Sequence, residues 1–377
     1  MTSCNTFAGF TERELLIGLT LVDDLGPVRI GKLIDFFGSV SAVYSAEAGE
    51  LAHVDGAGPA LAPKLAAGIS TVPEKLEKLL QRLDTTGIKA VTQIDSGYPS
   101  NLKHIYDPPV VIYMKGKFIQ DDALGLAVVG TRGATPYGIA VTEKFAGALA
   151  RAGITIISGL ALGIDTAAHQ SALKAAGRTV AVLGSGVDII YPTSNRRLAE
   201  RVADTGVLLS EYPPGTEPER GHFPRRNRII AGLALGVLVT EAPAKSGALI
   251  TASLALDYGR EVFVVPGSIL SAKSEGTNSL LKQGSNPVTC AEDILSGMEA
   301  YRMLPLVSEK ESCSGAASSV LTGAEAELLK KIPYEPVHMD ILLAGEGDIS
   351  ELAKLILTLE LKGLVRKTPG NKVVRVA

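Results

Sequence analysis

Residues 220–252 read RGHFPRRNRIIAGLALGVLVTEAPAKSGALITA, a cationic helix, a short apolar strand and a second helix in immediate succession. Pro224 suits the start of the first helix, over 224–233, because its missing N–H has no intrahelical partner there. Gly236–Thr240 follows as the strand and 247–258 as the second helix. A run of four or five apolar residues between two helices is the mark of a strand buried on both faces. Four arginines and a phenylalanine fall between Arg220 and Arg228, with no acid until Glu241. Arg225, Arg226 and Arg228 then lie in the first turn, at the positive end of the helix dipole, where cations repel one another and are disfavoured. A bound anion relieves that conflict, and Phe223 offers a flat face to a base. The opposite reading folds Glu211, Glu217 and Glu219 back onto the arginines and puts Phe223 in the core. The residues alone leave both open.

Working outward, the same strand–loop–helix unit repeats. Strands are expected at Leu124–Val129, Ile154–Ser158, Thr179–Leu183, Val207–Ser210 and Glu261–Val265, and helices at about 137–151, 164–176, 195–204 and 276–283. This alternation predicts an α/β fold, a parallel sheet wound on both faces, whose ligands bind beyond the carboxyl ends of the strands. Gly130-Thr131-Arg132, Ser158-Gly159, Gly184-Ser185-Gly186 and the arginine cluster all fall at such ends. Before the first of these strands, YPSNLKHIYDPPVVIYMKG (98–116) reads as an extended lead-in broken by prolines.

The flanks differ in texture. Residues 12 to about 85 read as small helices without strand signal, with two glycine hairpins at Leu25–Gly31 and Val54–Ala60. A hairpin of this kind holds a DNA phosphate on helix-terminal N–H groups or serves as a packing corner; sparse flanking lysines favour packing here. Residues 299–320 lose periodicity and read as a linker. Beyond it, capping boxes at Thr322–Glu325 and Asp348–Glu351 open helices, and a hairpin of Leu364–Lys367 and Val373–Val376 completes a winged-helix pattern. Its basic residues, Lys354, Lys362, Arg366, Lys367, Lys372 and Arg375, face either DNA or solvent.

Composition bounds the function. The 377 residues, 46% hydrophobic, suffice for two or three domains, and a net charge of −3 means that any nucleic-acid binding comes from a local patch. Three scattered cysteines fit a reducing cytoplasm. No signal-peptide pattern opens the chain, and the longest apolar run, Ile229–Val239, is too short for a bilayer. Lys245-Ser246 lacks the glycine of a P-loop, and Gly184-Ser185-Gly186 imitates a dinucleotide fingerprint but has Ile189 at the third glycine. The five histidines show no metal spacing, Ser158 is no nucleophile elbow, and Asp165 with His169 at i, i+4 suggests a local hydrogen bond rather than a catalytic pair.

Several of these segments together, YPSNLKHIYDPPVVIYMKG, VVGTR, SGLALGIDTAAH, AVLGSGVDIIYP, SEYPPG, HFPRRNRIIAGL, VTEAPAKSGALITA, GREVFVVPG and GTNSLLKQG, resemble the DNA-processing protein A (DprA/Smf) family, in family order from 98 to 284. The resemblance implies an extended Rossmann-like doubly wound sheet over 88–298, a helical SAM or helix–hairpin–helix-like domain over 1–87, and a winged-helix domain over 321–377. It implies a cytoplasmic homodimer without catalytic activity or cofactor that binds single-stranded DNA and loads the RecA recombinase in natural transformation. Carried over, Gly130, Thr131, Arg132, Arg220, Arg226, Asn227 and Arg228 would hold phosphate, Phe223 would stack on a base, and Ser158, Gly159, Lys245 and Ser246 would complete the DNA site. Arg220 stands where Lys is frequent and Thr131 where Ser is usual, keeping charge and hydroxyl respectively. The alternative is a phosphoribohydrolase on a related fold; KSGALITA and EGTNSLL lack its double glycine and its glutamate.

Overall fold

The computed structural model describes residue 7, residues 9–298 and, beyond them, residues 324, 327–329, 332, 337, 338, 342, 355, 356, 358, 359, 365–368 and 372–375. The chain divides into two compact units, Met1–Leu304 and Pro305–Ala377.

The first unit begins with six helices, α1 (Glu12–Leu19), α2 (Pro27–Phe37), α3 (Val40–Ser45), α4 (Ala48–Leu51), α5 (Gly58–Ser70) and α6 (Val72–Thr86). Thr11 and Glu14 cap α1 reciprocally. The two glycine hairpins are tied together: the Arg29 guanidinium at the start of α2 donates to Gly56 O (3.0 Å) and Asp24 O (2.6 Å). The helices share a core with one face of the sheet, since Leu19, Ile30, Leu65 and Leu76 belong to the same buried cluster as Tyr113, Ala181 and Leu208. A boundary near residue 87 therefore separates helices from sheet without separating two cores.

Nine strands form that sheet: β1 (Lys89–Thr92), β2 (Val111–Gly116), β3 (Gly125–Val129), β4 (Thr155–Ser158), β5 (Thr179–Leu183), β6 (Val207–Ser210), β7 (Gly236–Val239), β8 (Glu261–Val264) and β9 (Asn286–Pro287). Their order is β1-β2-β6-β5-β4-β3-β7-β8-β9. From β6 to β9 all pairings are parallel, as the alternating pattern predicts. The edge departs from that pattern. The lead-in segment forms β2, antiparallel to β6, and β1 lies antiparallel beyond it. Pro108 and Pro109 immediately upstream mask a strand whose Val111, Ile112 and Tyr113 are fully buried.

Connecting helices are α7 (Pro136–Arg151), α8 (Ile164–Lys174), α9 (Arg196–Thr205), α10 (His222–Leu233), α11 (Gly247–Asp257), α12 (Glu275–Lys282) and α13 (Ala291–Gly297). Helix α10 begins two residues before Pro224, which sits at its third position and still needs no intrahelical acceptor for a missing N–H. From β3 the chain winds to one side through β4, β5 and β6, then crosses back to place β7 on the other flank of β3. The point of reversal lies between β3 and β7, and the crevice outside their carboxyl ends is where such a sheet binds ligand.

In the second unit, β10 (Val337–His338), β11 (Val365–Thr368) and β12 (Lys372–Arg375) make an antiparallel sheet in the order β10-β12-β11. Val365 and Val373 pack with Leu328, Leu329, Ile332, Ile356 and Leu359. The hairpin expected at 364–376 is present, whereas β10 was not anticipated. Both capping boxes of this unit involve residues outside those described, as does the linker at 299–320.

Candidate functional site

A cavity of about 590 Å³ opens at the reversal point, between the loop after β3 and the loop after β7. The sheet and helices position each of its walls.

Gly130-Thr131-Arg132 follows β3. A Cβ at Gly130 would stand 2.4 Å from Ile164 and 2.8 Å from Glu241 O, so only glycine lets the backbone run so close. The Thr131 N–H donates to Glu241 O (2.8 Å), and the buried Glu241 carboxylate accepts from Thr135 N (2.8 Å) and Thr135 Oγ1 (2.6 Å) at the start of α7. One residue at the end of β7 thus fixes the loop after β3. Arg132 projects from this loop, exposed, with its guanidinium over the Phe223 ring, 5.1 Å from the ring centre.

Helix α10 sorts the arginine cluster by its turn. Phe223, Arg226, Asn227 and Ile230, three or four residues apart, line the cavity. Arg228 faces away, buried, with Nη2 against Glu211 Oε1 and Nε 3.0 Å from Asp107. Arg225 lies on that same side, Nε 3.5 Å from Glu211 Oε2. Each reading of the cluster therefore describes one face of the helix: Glu211 does neutralise two arginines, while Arg226 turns to the cavity. Arg228 lies outside the cavity.

Arg226 forms part of the floor. It is 4% exposed and donates through Nη1 to Val182 O (2.5 Å). A Cβ at Gly159 would lie 1.8 Å from that nitrogen, so the glycine exists to make room for the guanidinium. Its Nε has no partner. Burial lowers its pKa to about 10, against the stabilising charge of Asp165. Asp165, also in the lining, accepts from Gly159 N (3.1 Å) and Ala161 N (3.3 Å). Burial raises its pKa, and Arg226 opposes that rise. His169 does not bond Asp165: its Nδ1 meets Thr179 Oγ1 at 2.7 Å, and burial pushes its pKa down to about 3. The local bond expected from their spacing is replaced by separate partners for each.

Nine of the expected residues, Gly130, Thr131, Arg132, Arg220, Phe223, Arg226, Asn227, Lys245 and Ser246, meet around the cavity. Ser158 and Gly159 lie beneath it instead; Ser158 is fully buried and donates to Val128 O (2.7 Å). Among the described residues, neither Arg220 nor Lys245, both exposed, makes an ion pair. Ser246 caps α11 by accepting from Ala248 N (3.3 Å), and Asn227 Nδ2 donates to Gly247 O (3.3 Å). Among the lining residues not singled out as site residues are Asp165 and Tyr191, the latter 47% exposed with its ring 5.7 Å from that of Phe223. The signal for Tyr191 was its place in the loop beyond β5, on the carboxyl side of the sheet.

The walls carry aromatic faces, helix N-termini and the cations Arg132, Arg220 and Lys245, which make no ion pair among the described residues. Such a set holds phosphates and unstacked bases. Among the described residues no group of histidine, cysteine or carboxylate side chains is arranged to hold a metal ion, and no helix is long and apolar enough to cross a membrane.

Fold and cavity together define a Rossmann-like protein with an anion-binding groove at the switch point of its sheet. The model of the family described as DNA recombination-mediator protein A matches residues 89–299, and that of the DprA winged helix domain matches 314–371. The chain belongs to this DNA-processing protein A family. It is 34% identical to Protein Smf of Synechocystis over 97% of this chain and 99% of that protein. It is 45% identical to DNA processing protein DprA of Streptococcus pneumoniae over 55% of this chain and 73% of the other. The X-ray structure of the latter protein superposes with a TM-score of 0.67 at 37% identity, covering 77% of this chain and 98% of that one. A structure of DNA processing protein A from Helicobacter pylori, whose description concerns its single-stranded DNA binding mode, superposes with a TM-score of 0.51 at 32% identity, covering 56% and 96%.

Proposed function

We propose that this protein binds single-stranded DNA in the groove at the sheet's switch point, without a catalytic step, and hands it to the RecA recombinase during natural transformation or recombination. The observation that carries the reading is the groove itself: Arg132, Arg220 and Lys245, without an ion pair among the described residues, stand around an open cavity floored by Arg226 and edged by Tyr191 and Phe223. Arginine and lysine track the phosphates, and aromatic faces accept any base, so binding is salt-dependent and nearly indifferent to sequence. The single-stranded DNA binding described for the Helicobacter pylori relative supports the same assignment. RecA delivery rests on family membership.

The reading includes a homodimer. One cavity of this size spans few nucleotides, and two on one strand raise affinity through effective concentration. Ile269 and Leu270, 90% and 92% exposed in the loop after β8, are the apolar side chains for a second copy to cover. Asp165 is the acid in the cavity, and its engagement with two backbone N–H groups and Arg226 suits support of the floor rather than proton transfer. The test is a gel-shift comparing single- and double-stranded DNA of one sequence, alongside incubation with AMP. Preferred binding of the single strand and no release of adenine are expected. Adenine release would support the phosphoribohydrolase alternative and overturn this reading.

A further inference from the structure

The Gly184-Ser185-Gly186 turn after β5 has no nucleotide-binding role in the account above, yet it lies against the groove. A Cβ at Gly184 would stand 3.1 and 3.3 Å from two carbons of the Phe223 ring. The glycine therefore leaves the space that the ring edge fills. His222, next to Phe223, is anchored to the same residue, its Nδ1 3.0 Å from Gly184 O, and its ring stacks on Tyr212 at 4.0 Å. On another side of Phe223 lies Arg132. That guanidinium is exposed and, among the described residues, has neither a hydrogen bond nor an ion pair, so the ring is the contact that orients it.

We infer that Phe223 is a positioning residue: seated on Gly184, it holds the Arg132 guanidinium in the direction of the incoming phosphate. The inference rests on the single-stranded DNA reading and deepens it. A free arginine side chain loses much rotamer freedom when it grips a ligand, and an arginine already laid on a ring loses less. Held over the ring at 5.1 Å, the guanidinium keeps its N–H groups free for phosphate oxygens. Tyr191, tilted against the same ring at 5.7 Å and half exposed, remains available to a base. A ring that only stacked on bases would contribute the same binding whether or not Arg132 were present. A ring that works through Arg132 would not.

The experiment is a double-mutant cycle of Phe223→Leu and Arg132→Ala, read as affinity for a short oligothymidylate and as the slope of log affinity against log salt. Phe223→Leu alone is expected to weaken binding about two- to fivefold, the scale of an exposed cation–π contact, and to lower the slope toward that of Arg132→Ala. In the Arg132→Ala background it should leave the slope unchanged and cost less affinity than it does with Arg132 present. Phe223→Tyr, which keeps the ring, should restore both. Gly184→Ala presses on the ring without removing it and repeats the test if Phe223→Leu folds poorly; it should weaken binding only while Arg132 is present. An equal loss in both backgrounds with an unchanged slope would overturn the inference and make the ring a base platform alone. If Arg132→Ala itself left affinity and slope at wild-type values, the DNA reading of the groove would fail first.

Discussion

Replacing Arg226 with alanine removes a cation that is 4% exposed and sits beside a buried carboxylate. Two effects follow from one change. Asp165 loses its opposing charge, while the desolvation that holds the Arg226 pKa down is relieved, so the net loss should fall below the about 3–5 kcal/mol of a broken buried ion pair. Asp165 can limit that cost by taking up a proton, because burial already raises its pKa and Arg226 is the charge that restrains the rise. The folded-state pKa then stands further above the unfolded one, so the variant's deficit should shrink as pH falls toward and below that folded value. Asp165→Asn in the same chain removes the stranded charge and should recover part of the loss at neutral pH. The assay is urea denaturation followed by circular dichroism, a suitable probe for a chain with no tryptophan, at neutral and mildly acidic pH. A double variant with simply additive losses would refute the electrostatic coupling of Asp165 to Arg226.

Three further outcomes are expected. Arg228→Ala should destabilise by about 3–5 kcal/mol in thermal or urea unfolding, taking the arginine from Asp107 and leaving Glu211 with Arg225 alone, while the folded fraction keeps wild-type DNA affinity. His169, held neutral with a pKa near 3 against an ordinary 6.5, should draw stability down as pH falls through that interval, because the unfolded chain takes up the proton first. Its part is at most about 1.4 kcal/mol per pH unit and is isolated by comparison with His169→Gln, since Asp165 has the opposite sign. A fragment of residues 1–298 should unfold cooperatively and retain most of the single-strand affinity, because Met298 closes the core and every cavity residue precedes it. Loss of affinity from a folded fragment would place the main site in the winged helix.

The central sheet was legible because its strands are short continuous apolar runs between glycine turns, and six were expected within a residue of their observed ends. The antiparallel edge was not, since prolines at 108 and 109 hide the start of β2 and pairing direction leaves no mark on one strand's composition. In the site, the cationic cluster was legible and its partition was not. Arg225, Arg226 and Arg228 are chemically alike, and their separation depends on where α10 begins and on Glu211 and Asp107 arriving from distant segments. Helical spacing offered a partial signal, because Arg226 shares the face of Phe223 and Ile230. The Ser158-Gly159 pair looked like a loop ready for ligand; burial under Arg226 shows that its small size serves packing.

The salt dependence of single-strand binding tests the groove most directly. Anisotropy titrations of a labelled oligothymidylate across a salt series give the slope for wild type and for Arg132→Ala, Arg220→Ala and Lys245→Ala. Each of these residues is exposed and makes no ion pair among the described residues, so none of the replacements strands a buried charge. The account predicts that each lowers the slope by about 0.7, one phosphate contact on a single strand, while thermal stability stays at the wild-type value. Unchanged slopes in all three variants, with wild-type DNA binding intact, would put the strand elsewhere on the molecule and contradict the account.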